Sequence, residues 1–133
     1  MIFADSSFLI AYLIERDRHH EAAVRLYEQL AIKRVAITNH IRGETWTWLR
    51  SKARHEKAVA FLDSVGRGDG YIEVSHVSEE LEDEALRWLR RHDGREYSFA
   101  DATSFAFMRA KGIEEALAFD GDFAAAGFTE LRP

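Results

Sequence analysis

The period of the apolar positions changes repeatedly along the chain. Met1 to Ala4 is a short apolar run, the pattern of a strand buried on both faces. Asp5 and Ser6 suit a helix start, and Phe8, Leu9, Tyr12 and Leu13 then keep helical spacing. A second helix is expected from about His20 to Ile32, with Ala23, Leu26, Tyr27 and Leu30 on one face. Val35 to Thr38 is short and rich in strand formers, and Asn39 to Ser51 returns to helical spacing through Ile41, Thr45, Trp48 and Leu49. Glu56 to Val65 predicts another helix, ended by the glycines at 66, 68 and 70, and Tyr71 to Val74 a strand. Ser78 to Arg91 is amphipathic on Leu81, Ala85, Leu86 and Leu89. Ser98 to Lys111 is helical with a glycine stop at Gly112. Ala116 to Phe119 predicts a strand, and Phe128 to Leu131 a last one.

Short strands alternating with helices require crossover connections. The fold class is therefore α/β, with a mostly parallel central sheet covered on both faces. The 133 residues contain no internal repeat or linker, and the sole proline is Pro133, so one domain over residues 1–133 is expected. In such sheets the functional crevice lies beyond the carboxyl ends of the strands. Two of the expected strands run straight into an acid there: Asp5 after IFA, and Asp120 after LAF.

Composition narrows the chemistry. An apolar content of 47% and a charged content of 31% are those of a soluble globular protein. The longest strongly apolar run, Phe8 to Ile14, is far too short to span a bilayer. The N-terminus shows no basic region or cleavage site, so no secretion signal is expected. There is no cysteine, hence no disulfide and no thiolate metal site. These features together lead to an expectation of a cytoplasmic protein. The net charge of -5 argues mildly against a polyanion partner. Local basic clusters offset it: Arg42, Arg50, Lys52, Arg54 and Lys57, and further on Arg87, Arg90, Arg91 and Arg95. Each cluster reads either as a solvated helix face or as a phosphate contact.

Taken singly, the acids at these positions have ordinary explanations. Asp5 suits the N-cap of the first helix, Asp120 the cap of the turn GDFAAAGF, and Asp101, three residues after Ser98, the second half of a capping box. Glu44 can be a surface residue of its helix. Taken together they conflict, because the topology can bring all four to one end of the sheet. Near 5 Å each carboxylate pair repels by about 3 kcal/mol at an effective dielectric of about 20. A divalent cation removes the conflict, and oxygen ligands without cysteine suit Mg²⁺ or Mn²⁺. Such a site fits metal-assisted phosphodiester hydrolysis.

Four stretches carry a resemblance: FADSSFLIAYL around Asp5, TNHIRGETWTWLR around Glu44, YSFADATSFAFMRAKGI around Asp101 and LAFDGDFAAAGF around Asp120. In this order and spacing the chain resembles, nearly end to end, a PIN-domain ribonuclease, and within that superfamily a VapC-like toxin of a toxin–antitoxin pair. The resemblance implies a three-layer α/β/α fold and RNA cleavage with Mg²⁺ or Mn²⁺ held by Asp5, Glu44, Asp101 and Asp120. Asp122 is an extra acid beside them, a contributor from behind the ligands or to a second metal. Ser6 and Ser98 match small hydroxyl positions that orient carboxylates or waters, or simply cap helices. The resemblance also implies a homodimer and a cognate VapB-like antitoxin, assembled with the toxin into a larger complex. The antitoxin's arginine would pair with the acids.

Arg42, Arg50, Lys52 and Arg54 are the candidates for clamping an RNA backbone. His19 and His20 are read as structural or surface residues. Trp46 and Trp48 are read as core or interface rather than base-stacking residues. The competing reading is a non-catalytic PIN-like binding module that acts through a protein partner. A phosphorylated receiver domain lacks its late lysine here. A haloacid-type phosphohydrolase would want an aspartate where Ser7 stands.

Overall fold

The computed structural model describes residues 1–31, 34–66 and 72–133. Ile32, Gly68, Gly70 and Tyr71, which figured in the expected element ends, lie outside the described residues. Five strands form one sheet in the order β3-β2-β1-β4-β5: β1 (Ile2–Ala4), β2 (Val35–Thr38), β3 (Ile72–Ser75), β4 (Glu115–Leu117) and β5 (Thr129–Glu130). Every pairing is parallel. β1 lies between β2 and β4 and is buried throughout, which is why its sequence is an unbroken apolar run rather than an alternating one.

Helices α1 (Ser6–Leu13) and α2 (His20–Gln29) join β1 to β2, and α3 (Asn39–Trp48) and α4 (His55–Ser64) join β2 to β3. Then α5 (Glu79–Arg91) and α6 (Phe99–Lys111) carry the chain back to β4, and α7 (Asp122–Ala125) leads to β5. The direction of travel across the sheet reverses after β3. Right-handed crossovers therefore put α1–α4 over one face and α5–α7 over the other, giving three layers. The reversal leaves a crevice at the carboxyl ends of β1 and β4, the topological switch point where such sheets hold ligands.

Local differences from the sequence expectation have physical causes. α3 does not run to Ser51 as a plain helix: Leu49–Ala53 forms a π-helical turn, one turn after a Thr45 hydroxyl that donates back to the Ile41 carbonyl at 2.8 Å. Leu86 of α5 is exposed, and Trp88 takes the core place instead, packed against Tyr97 and Phe105. α7 replaces an expected irregular turn. It is held by Phe123, which is fully buried against Phe3 and Phe105. Gly112 ends α6 in the left-handed conformation at φ 69°, as a C-terminal glycine does.

Candidate metal centre

Asp5 stands where β1 becomes α1 and is only 2% exposed. Its Oδ2 caps the helix, accepting from the Ser7 amide at 3.2 Å and the Ser7 hydroxyl at 2.7 Å. Its amide donates to the Leu117 carbonyl of β4 at 2.9 Å. The Ser7 hydroxyl oxygen in turn accepts from the Phe119 amide at 3.1 Å, so one serine ties the ends of both central strands together. Asp5 Oδ1 is buried and has no hydrogen-bond partner. An orphaned buried carboxylate oxygen is costly unless a ligand meets it.

Asp101 arrives from the other face, in the first turn of α6. Its carboxylate accepts from the Ser98 amide and its amide donates to the Ser98 hydroxyl, each at 3.0 Å, completing the capping box. Asp120 sits beyond the end of β4. Its Oδ1 accepts from the Asp122 amide at 3.1 Å, across a turn that Gly121 makes at φ 82°. Asp5, Asp101 and Asp120 each bring a carboxylate oxygen within 4.8 Å of the others.

The electrostatics record the crowding. Burial pushes the Asp5 carboxyl well above the usual carboxylate range, and the charges of Asp120 and Asp101 push the same way. Burial raises Asp101 to about 6, against hydrogen bonds from Ser98 that favour its ionised form. Partial desolvation raises Asp120, against the hydrogen bond from the Asp122 amide, which favours its ionised form, while the Asp122 charge pushes it up again. Three carboxylates on two strand ends and a helix, one with an unused buried oxygen, fit a hard divalent cation by donor type and by charge.

The remaining expected residues are placed unevenly. Glu44 is exposed on α3 and lies outside the three-carboxylate group, but its Oε2 accepts from the Ser6 hydroxyl at 2.9 Å. Ser6, the residue next to Asp5, thus tethers Glu44 beside the group. Ser98 has the capping role. Asp122 also lies outside the group and is engaged by Arg95, whose Nε donates to its Oδ1 at 2.9 Å. Arg42 is half-buried on α3, whereas Arg50, Lys52 and Arg54 are exposed. None of the four makes an ion pair among the described residues. Arg54 joins Arg16 and Lys57 around a cleft by Ile14. That is the far end of α1 from Asp5, about 12 Å along eight residues.

His20 is structural: its Nδ1 lies 2.8 Å from the Ala11 carbonyl. Trp46 packs edge-on against His55. Two site residues escaped the sequence reading. Ser7 gave no sign of bridging two strands, since its partner amide is 112 positions away. Arg95 read only as one of a run of basic residues, because its partner acid lies on another element.

The model of the PIN domain family matches residues 2–129. The chain is 50% identical over 133 residues, 100% of its length and 99% of the relative's, to the 23S rRNA-specific endonuclease VapC20 of Mycobacterium tuberculosis. The crystal structure of that VapC20, described as a sarcin–ricin loop cleaving toxin, superposes with a TM-score of 0.93 at 49% identity, with both chains fully covered. VapBC2 of Rickettsia felis, bound to a promoter DNA fragment, shares the fold at a TM-score of 0.71 and 16% identity over 98% of this chain and 97% of that one. A parallel sheet, an acid at the end of each of the neighbouring strands β1 and β4 and a third on the facing helix thus occur in a chain that belongs to the PIN domain family.

Proposed function

We propose that this chain is a divalent-metal-dependent endoribonuclease, the toxin of a toxin–antitoxin pair, acting as a single PIN domain over residues 1–133. The carrying observation is the convergence of Asp5, Asp101 and Asp120 within 4.8 Å around the unpartnered Asp5 Oδ1. Half of the sequence is shared with an endonuclease named for 23S rRNA, which makes 23S rRNA, at its sarcin–ricin loop, the substrate to test first. Asp5, Asp101 and Asp120 would hold Mg²⁺, with Mn²⁺ able to substitute. The bound cation supplies the charge that acidifies water and offsets the negative phosphodiester.

The chain's own residues supply the positioning. Ser7 fixes the Asp5 carboxylate and the start of the turn to Asp120 in one frame. Ser6 holds Glu44 by one oxygen, leaving its other oxygen to orient or deprotonate the attacking water. Arg95 holds Asp122 at the edge of the centre. Its Nη2 also donates to the Asp120 carbonyl at 3.3 Å, so Asp122 steadies this turn rather than ligating the first cation. Arg42, Arg50 and Lys52 steer the RNA backbone. The proposed partner is a VapB-type antitoxin, the proposed assembly a homodimer and the proposed location the cytoplasm. No helix among the described residues is long and apolar enough to cross a membrane.

The test is cleavage of ribosomal RNA by the purified, partner-free chain with Mg²⁺ or Mn²⁺, with EDTA, and by Asp5→Asn. Discrete 23S products requiring both the cation and Asp5 are expected. Cleavage that persists in EDTA would overturn the metal reading. A folded, cation-binding chain that leaves every RNA intact would favour the non-catalytic binding module.

A further inference from the structure

Beside the carboxylates lies a cavity of about 440 Å³, within the size range of small-ligand sites, about 300–1,000 Å³. Three elements build it: α1 with the connection that follows it, the end of α3, and the segment after β4. Trp48, His19, Phe119 and Ile10 supply its apolar walls, and Asp17 and Arg18 its polar rim. Ser6, Ser7 and Asp120 line it as well, so the cavity reaches the candidate metal centre at Asp120.

Its aromatic rings are arranged as a platform. His19 lies flat on Phe119, with ring centroids 4.5 Å apart and 6° between planes. Phe119 is backed by Phe8 at 6.2 Å and by the Arg132 guanidinium 5.1 Å from its centroid. Arg132 also donates to the Ala118 carbonyl at 2.8 Å. The Asp17 carboxylate accepts from the His19 amide at 2.8 Å, fixing the backbone that carries the imidazole. Trp48 is only half-buried, although the buried Leu49 beside it belongs to the core. Trp48 packs against the core with part of its ring and keeps the rest as surface on a cavity that shares Ser6, Ser7 and Asp120 with the candidate metal centre.

We infer that this cavity is a nucleobase subsite, in which the unstacked base next to the scissile phosphate continues the Phe119–His19 stack and meets Trp48. This rests on the ribonuclease reading, because a phosphate at the carboxylates is what brings a base to the cavity mouth. Single-stranded RNA is recognised by bases splayed onto aromatic faces, and the Asp17 and Arg18 side chains provide an acceptor and donors for a base edge. Trp48 and His19 are substrate-contacting residues that choose the cleavage position, separate from the residues that hold the cation.

The experiment uses the full chain carrying Asp101→Asn to prevent cleavage. The probes are short oligoadenylate, oligouridylate and an abasic ribose-phosphate oligomer of equal length. Affinity is read by anisotropy and stacking by quenching of tryptophan emission, with Trp48→Phe as the reference. Base-bearing oligomers are expected to quench Trp48 and the abasic one not to. Trp48→Ala and His19→Ala should each weaken base-bearing oligomers about 5- to 150-fold, the range for loss of one base–aromatic stack, and leave abasic binding unchanged. His19→Ala keeps the test decisive if Trp48→Ala does not fold. Equal affinity for abasic and base-bearing oligomers, or unchanged affinity in both variants, would overturn the subsite while leaving the nuclease intact. Quenching by an antitoxin-derived peptide alone would assign the cavity to a protein partner and overturn it too. If the unsubstituted chain neither binds nor cleaves RNA, the ribonuclease reading fails, and the subsite with it.

Discussion

Asp5 answers to two demands at once. One carboxylate oxygen caps α1, and the other is buried without a partner. The capping and ligand readings of this residue are therefore not alternatives, and the same holds for Asp101, whose capping box with Ser98 is fully formed. The cost of this dual use shows in pH dependence. Asp101 titrates near 6 in the folded protein against an ordinary 3.8, so the folded state binds the proton more tightly than the unfolded one. Its contribution to metal-free stability is complete below about pH 4 and is lost as pH rises through 6. After allowance for solvent screening, the ionised group costs ~1–2 kcal/mol at pH 7. Asp101→Asn should therefore raise the metal-free Tm at pH 7.5 by about 3–8 °C while abolishing cleavage, and the gain should disappear near pH 4. Thermal melts across pH check this, and a lowered Tm at pH 7.5 would refute it. Addition of Mn²⁺ at about a hundred times its Kd should stabilise the unsubstituted chain by about 2.7 kcal/mol, and Asp101→Asn far less. Ser7→Ala should cost about 1–3 kcal/mol in denaturant melts, since it leaves Asp5 Oδ2 with only the Ser7 amide and the Phe119 amide without its acceptor.

At the scale of elements, the short helix α7 decides where Asp120 points. Phe123 is its anchor, buried between Phe3, Phe105 and Phe128. Phe123→Ala should cost about 3–5 kcal/mol and weaken cation binding beyond what the loss of stability explains. Calorimetry on the folded variant reads this, and unchanged cation affinity would show that α7 does not position Asp120. Arg95 reaches the same turn from the connection between α5 and α6. The Arg95–Asp122 pair is solvent-accessible, so Arg95→Gln should leave stability nearly unchanged. It should nevertheless tighten Mn²⁺ several-fold at low salt, by removing a positive charge beside three carboxylates, and the effect should fade as the Debye length shortens. The helices and strands themselves were largely legible because each has a clear period and stop signal. The π-helical turn and α7 were not: one follows a threonine hydroxyl that bonds back into α3, and the other rests on a single buried phenylalanine in a four-residue segment.

For the whole molecule, a chain of net charge -5 must approach a polyanion through a local basic face. Arg50→Ala with Lys52→Ala should slow cleavage at low salt and make the slope of log affinity against log salt less negative by about 1.4, two contacts at 0.7 each for a single strand. Unchanged rates and unchanged salt dependence would exclude these residues from steering. Arg54, at the end of the same turn, lines a cleft with Arg16 and Lys57 at the far end of α1 from Asp5.

The sequence by itself determined the α/β class and the parallel sheet and marked Asp5 and Asp120 as candidates, because apolar period and strand-terminal carboxylates are local features, whereas Glu44 and Asp101 were assigned by the family resemblance. It left the roles of those acids divided between capping and ligation. Only the tertiary structure put β1 against β4, and so gathered Asp5, Asp101 and Asp120 while setting Glu44 one hydrogen bond away through Ser6. Only the tertiary structure gave Asp122 to Arg95, made Ser7 a bridge and left Trp48 on a cavity. These are distances between residues far apart in the chain, set by strand order and helix packing, and no local pattern contains them.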